Sequence, residues 1–167
     1  MELLETIKIK DGKIYNIEYH NKRLNRSRLE LFNIDREIDL RDYITPPIEE
    51  GTFRCRVIYR EDILSIDYIP YKRREFKSFR IVESEIDYRY KYANRDKLNR
   101  LKDKYYKYSD IIIEKYGLLT DTSIANIAFF DGTKWITPKN PLLRGTIREK
   151  LIDNNKIIKK DILTIVI

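Results

Sequence analysis

An α+β fold in two lobes is predicted by three observations on the 167-residue chain. Segments that alternate apolar and polar residues come in pairs joined by turn sequences such as Asp11-Gly12 and Glu61-Asp62, the mark of β-hairpins. Stretches with apolar residues at helical spacing lie between these hairpins. A basic segment, Lys72-Arg73-Arg74, follows Pro70 and marks the passage from a small N-terminal lobe, 1-77, to a larger C-terminal lobe, 78-167.

Each element is read in order. Leu3 to Ile9 alternates imperfectly and, after Asp11-Gly12, Ile14 to Tyr19 continues as the second strand of a hairpin. A helix is expected from near His20 to near Asn33, with Leu24, Leu31 and Phe32 on one face and Ser27 between them. Thr52 to Tyr59 and Ile63 to Tyr68 make a second hairpin that Pro70 ends. Phe79 to Val82 opens a further strand, Arg95 to Tyr106 has helical spacing through Leu98, Leu101 and Tyr105, and Asp110 to Ile113 reads as a buried strand. After the Tyr116-Gly117 turn, a meander is expected: the Asp121 segment, a strand from Ile124 to Phe130, the Asp131-Gly132 turn, and Lys134 to Thr137 returning. Thr146 to Ile152 is a short helix ending at Asp153-Asn154-Asn155, and Ile157-Ile158 and Ile162 to Ile167 look like strand.

Composition narrows the function classes. One cysteine, Cys55, excludes an intramolecular disulfide framework, and with one histidine, His20, it cannot build a thiolate or imidazole metal cluster. No apolar run approaches the roughly 18 residues of a membrane span, and the acidic start Met1-Glu2-Leu3-Leu4-Glu5 does not read as a signal peptide, so a cytoplasmic protein is expected. The net charge of +7 raises nucleic acid as a partner, but 34 basic and 27 acidic residues are interspersed, which favours a solvated surface. Nucleophile elbows, zinc motifs and Walker-type phosphate loops are missing from the sequence.

What remains is an ordered set of candidates: Arg23 on the first helix, Lys91 in Tyr90-Lys91-Tyr92-Ala93-Asn94-Arg95, Asp121 with Asn126, and Gly145-Thr146 at the start of the late helix. Asp121 is the most informative, because a carboxylate set just ahead of the apolar run Ile127-Ala128-Phe129-Phe130 needs a partner in a core. Alone, each has a structural explanation: Lys91 as surface, Arg23 as the edge of an amphipathic helix, Asp121 as a turn cap, Gly145 as a turn glycine. His20 reads as a residue that positions the helix start.

Taken in order, these segments resemble the class IV, or fold-type IV, family of pyridoxal-phosphate enzymes, which includes branched-chain and D-amino-acid aminotransferases and 4-amino-4-deoxychorismate lyase. Leu4-Glu5-Thr6-Ile7 and His20-Asn21-Lys22-Arg23-Leu24-Asn25-Arg26-Ser27 are similar to the family's first hairpin and its His-x-x-Arg-Leu-x-x-Ser helix. Lys91 with Asn94 and Arg95 resembles the lyases' Lys-x-x-Asn-Arg. Asp121 to Asn126 matches Glu-x-x-x-x-Asn in spacing, and Leu143-Arg144-Gly145-Thr146-Ile147-Arg148 resembles Leu-x-Gly-x-x-Arg.

The resemblance implies a fold-type IV enzyme like aminodeoxychorismate lyase, a homodimer that binds pyridoxal 5'-phosphate between its lobes and acts on a small amino substrate. Lys91 would carry the cofactor and act as the base, Arg23 would hold its phosphate, Asp121 with Asn126 would face its ring nitrogen, and Gly145, Thr146 and Ile147 would offer backbone amides to the phosphate. The chemistry of these residue types agrees. A buried lysine has a lowered pKa and can react as a neutral amine, a carboxylate favours a protonated pyridine, and glycine before a helix lets amides approach a phosphate. Asp121 is one methylene shorter than the family's glutamate, so its backbone must come closer or a water must bridge. Family members continue through another helix and strand past the position of Ile167, so a shortened C-terminal lobe is expected.

The lysine motif favours pyruvate elimination giving 4-aminobenzoate, with amino-acid transamination of the branched-chain type as the alternative. Two further alternatives are an inactive family member and a basic nucleic-acid binder that would stack bases on Tyr90, Tyr92, Tyr105, Tyr106 and Tyr108.

Overall fold

The computed structural model describes residues 1–164. The chain forms two compact units, Met1–Arg73 together with Tyr90–Asn94, and Arg74–Arg89 together with Arg95 onward.

The first unit is built on a four-stranded antiparallel sheet in the order β2-β1-β3-β4, comprising β1 (Leu3–Lys10), β2 (Lys13–Ile14), β3 (Thr52–Tyr59) and β4 (Ile63–Pro70). Period-two alternation places Leu3, Ile7 and Ile9 of β1 beside Cys55, Val57 and Tyr59 of β3 in the core, each 1% exposed or less. Helix α1 (Ile17–Phe32) adds Ile17 and Leu24 to the same cluster. Burial of each such aliphatic side chain stabilises by about 1.5–3 kcal/mol, which fixes the strand register against a slip. The first hairpin is shorter than its sequence suggests and α1 begins earlier: β2 stops at Ile14, and Asn16 turns into the left-handed region at φ 62°. A strand cannot continue through that conformation, and Ile17, His20 and Leu24 then fall on one buried helical face. Helix α1 ends at Asn33, which is also left-handed at φ 56° and whose amide reaches the carbonyls of Arg28 and Leu29.

The segment Tyr90–Asn94 lies along the start of β1. The Leu4 amide donates to the Lys91 carbonyl at 2.8 Å, the Ala93 amide to the Glu2 carbonyl at 2.9 Å, and Leu3 bridges Tyr92.

The second unit holds two three-stranded sheets. One runs β5-β6-β7, with β5 (Phe79–Glu83) parallel to β6 (Asp110–Lys115) and β6 antiparallel to β7 (Leu118–Thr122). The other runs β10-β9-β8, with β8 (Phe129–Phe130) antiparallel to β9 (Trp135–Pro138) and β10 (Ile158–Lys160) parallel to it. Leu119, Ile136 and Ile162 form the core between them, with Ile81, Ile112, Ile127 and Phe129 packed around.

Three expectations change here. Asp121 belongs to strand β7, and the strand expected over 124–130 shrinks to Phe129–Phe130. Thr122 explains this: its hydroxyl accepts the amides of Ile124 at 3.2 Å and Ala125 at 3.0 Å, closing a tight turn that no alternation pattern reveals. The expected meander divides, because β7 lies in the β5-β6-β7 sheet while β8 pairs antiparallel with β9 in the other, where β10 joins in parallel after helix α3 (Thr146–Asp153). Helix α2 (Asp96–Asp103) stops short of the expected Tyr106. Of the terminal strand expected over 162–167, Leu163 makes an isolated bridge to Leu118, and 165–167 lie outside the described residues.

Candidate functional site

Asp121 is 4% exposed on β7, a position where an ionised group is costly. The Thr122 turn folds the chain back so that Asn126 bridges Asp121, and the Asn126 side-chain amide donates to Asp121 Oδ1 at 2.7 Å and to the Leu143 carbonyl at 2.8 Å. The Leu143 amide donates to Asp121 Oδ2 at 2.9 Å. Burial pushes the Asp121 carboxyl up to about 6, while the hydrogen bonds of Asn126 and Leu143 and the charge of Arg148 pull against that rise. The carboxyl is held by neutral donors and is therefore suited to a cationic partner.

Asn126 also explains Gly145. That glycine has ordinary extended angles, φ −73° and ψ 141°, so its backbone does not demand glycine. A β-carbon there would stand 1.9 Å from Asn126 Oδ1, which no structure tolerates. Gly145 is the N-cap of α3 and brings no side chain to cap it, so the first turn turns its amides, among them those of Thr146 and Ile147, towards whatever lies ahead of the helix. Arg148 anchors the helix from within, donating to the Pro138 carbonyl at 2.7 Å at the end of β9. One constellation in the second unit therefore joins Asp121, Asn126, Leu143, Gly145, Thr146 and Ile147. It is complementary to a molecule with a protonatable nitrogen and an anionic group.

The first unit carries Arg23 and Lys91. Arg23 is 6% exposed and donates from Nε to Glu5 Oε1 at 2.8 Å and from one terminal nitrogen to Glu5 Oε2 at 2.6 Å. His20 Nδ1 stands 2.6 Å from Glu5 Oε2, which makes that nitrogen the protonated one, because Glu5 is ionised. Burial would raise the Glu5 carboxyl, but the Arg23 charge and the hydrogen bonds of Arg23 and His20 outweigh it and hold the group at about 2. Lys91 is half-buried, and its carbonyl is tied to Leu4, the residue before Glu5. Sequence reading missed Glu5 altogether. The signal was present, since Leu3, Glu5, Ile7 and Ile9 share one face of β1 and an acid on an apolar face needs a cation. Tyr90 and Tyr92, read as part of a base-stacking platform, pack against the first core instead.

The chain belongs to the class IV aminotransferase family. The family model, amino-transferase class IV, matches residues 63–165, more than half of the chain. Among its relatives is an uncharacterised protein of Haemophilus influenzae, 37% identical over 96% of this chain and 88% of that protein. A crystal structure from Haemophilus somnus 129PT, of a protein provisionally named 4-amino-4-deoxychorismate lyase, is 34% identical with a TM-score of 0.88, covering 98% of this chain and 88% of that one. The fold extends to more distant chains: a "hypothetical aminotransferase" from Mycobacterium tuberculosis in its pyridoxal-phosphate-bound form has a TM-score of 0.77 at 16% identity, covering 98% of this chain and 72% of that one. Among the described residues, no helix is long and apolar enough to cross a membrane.

Proposed function

We propose that the protein is a pyridoxal-phosphate-dependent enzyme of the 4-amino-4-deoxychorismate lyase type, releasing pyruvate and 4-aminobenzoate. The observation that carries the reading is the Asp121–Asn126–Gly145 constellation, in which a buried carboxyl held by neutral donors is clamped to a helix start with no side-chain cap among the described residues. Bound pyridoxal phosphate would supply an electron sink for the carbanion left when an amino substrate loses its α proton.

Each residue contributes a separate physical task. Asp121 would keep a proton on the ring nitrogen, and the ion pair formed there would relieve the burial that raises its own pKa. The amides of Gly145, Thr146 and Ile147 and the charged Arg23 guanidinium, beyond the edge that Glu5 holds, would bind the phosphate. Lys91 Nζ would form the covalent attachment and then take the substrate's α proton as general base, returning it at a later step. Asn126 would act through Asp121, keeping Oδ1 oriented while Leu143 holds Oδ2.

The lyase-like relative from Haemophilus somnus supports the branch, because its likeness runs through nearly the whole chain. Amino-acid transamination is the competing chemistry. Purified protein given 4-amino-4-deoxychorismate should release 4-aminobenzoate and pyruvate in equal amounts. Conversion of 2-oxoglutarate to glutamate from a branched-chain amino acid, without such release, would assign the aminotransferase branch instead. The reading extends to a cytoplasmic homodimer, and light scattering on the purified protein tests the oligomeric part.

A further inference from the structure

We propose that Glu5 is a positioning residue for the phosphate-holding arginine, and that His20 in turn fixes Glu5. This rests on the cofactor reading given above. A guanidinium recognises a phosphate through the direction of its donors, so its value depends on being held before the ligand arrives. Glu5 provides that hold with both oxygens, accepting Arg23 Nε at 2.8 Å and a terminal nitrogen at 2.6 Å. Oε2 also accepts from His20 Nδ1 at 2.6 Å, which stops the carboxylate from rotating away from the fork. All three side chains are buried: Glu5 is 0%, His20 4% and Arg23 6% exposed. The supports are rigid elements, since Glu5 is on β1, paired with Val57 of β3, and His20 and Arg23 lie three residues apart on α1. Tyr59, 1% exposed, closes the same polar cluster from β3, where it hydrogen-bonds to Ser27.

Nothing in the general requirements of a core asks for this arrangement. An apolar residue at position 5 would continue the Leu3, Ile7, Ile9 face without the desolvation of a buried ion pair. The arrangement makes sense when the arginine must stay charged, buried and aimed.

The test separates phosphate recognition from folding. Cofactor-free wild type, Glu5→Gln, Glu5→Asp, Arg23→Ala and the Glu5→Gln/Arg23→Ala double variant are titrated with pyridoxal phosphate and with pyridoxal, and both dissociation constants are read from absorbance. Glutamine offers one acceptor oxygen and turns an N–H against the guanidinium. Aspartate keeps the charge but retracts it by a methylene. In the wild type, pyridoxal phosphate should bind more tightly than pyridoxal. Glu5→Gln should cut that preference at least tenfold, Glu5→Asp should cut it by less, and Glu5→Gln should add nothing in the Arg23→Ala background. If Glu5→Gln does not fold, Glu5→Asp decides the matter. An unchanged preference in the Glu5 variants, equal losses for both aldehydes, or a further loss in the double variant overturns the positioning role while leaving the cofactor reading intact. A wild type that binds neither aldehyde overturns the cofactor reading and this proposal with it.

Discussion

Two buried carboxyls shift in opposite directions, and their partners explain why. Glu5 faces a guanidinium and is held at about 2; Asp121 faces neutral amides and rises to about 6. A lowered pKa stabilises the fold above the unfolded value, near 4.5, and that stability is lost as pH falls towards 2. A raised pKa does the reverse: its contribution is complete below about 3.8 and is lost as pH climbs through 6. Each shift corresponds to roughly 3 kcal/mol at about 1.4 kcal/mol per unit. Urea denaturation of the cofactor-free protein at pH 4, 5, 6 and 7 should therefore show a decline of a few kcal/mol that Asp121→Asn largely abolishes. Parallel profiles for the two proteins would remove Asp121 as the titrating group. Asp121 was legible in the sequence because a lone acid before an apolar run stands out. Glu5 also left a mark, an acid on the apolar face of β1, but its partner lies eighteen residues away on another element, so no local pattern identified the pair.

At the level of elements, the site depends on a turn rather than on a regular structure. Thr122 reverses the chain, Asn126 reaches Asp121 and Leu143, and the space Asn126 occupies dictates glycine at 145. Periodicity located β1 and β3 closely, since each has a buried face that writes itself into the spacing of apolar residues; β4, β5 and α3 also fall where expected, although β4 is only half-buried and α3 buries Thr146 and Arg148 rather than its apolar residues. It failed over 123–128, where side-chain-to-backbone hydrogen bonds set the path, and at Asn16, where one left-handed residue moved a helix start. Gly145→Ala should destabilise the protein by about 1–3 kcal/mol through overpacking, and Asn126→Ala by a similar amount through a buried acceptor left without its donor. Combined, the two should cost less than their sum, because removing the amide makes room for the methyl. Additive losses in thermal or urea denaturation would mean that the two residues do not share this space.

For the whole molecule, the candidate groups are divided between the two units, Arg23 and Lys91 in the first and Asp121, Asn126 and Gly145–Ile147 in the second. The common purpose proposed for them rests on their order along the chain, since each residue alone has an ordinary structural role. A ligand that binds only the folded protein raises its stability, by about 2.7 kcal/mol at a hundred times its dissociation constant. Pyridoxal phosphate should accordingly raise the melting temperature, and the gain should shrink in Asp121→Ala and Arg23→Ala; equal gains in all three proteins would place the binding elsewhere. Attachment of pyridoxal phosphate through Lys91 is read from the visible absorption of protein incubated with the cofactor and then treated with borohydride. The wild type should acquire a visible band that reduction removes, leaving a label on the peptide containing Lys91, and Lys91→Ala should gain neither band nor label there. A wild type without the band, or a Lys91→Ala protein with the same band and label, would rule out attachment at Lys91.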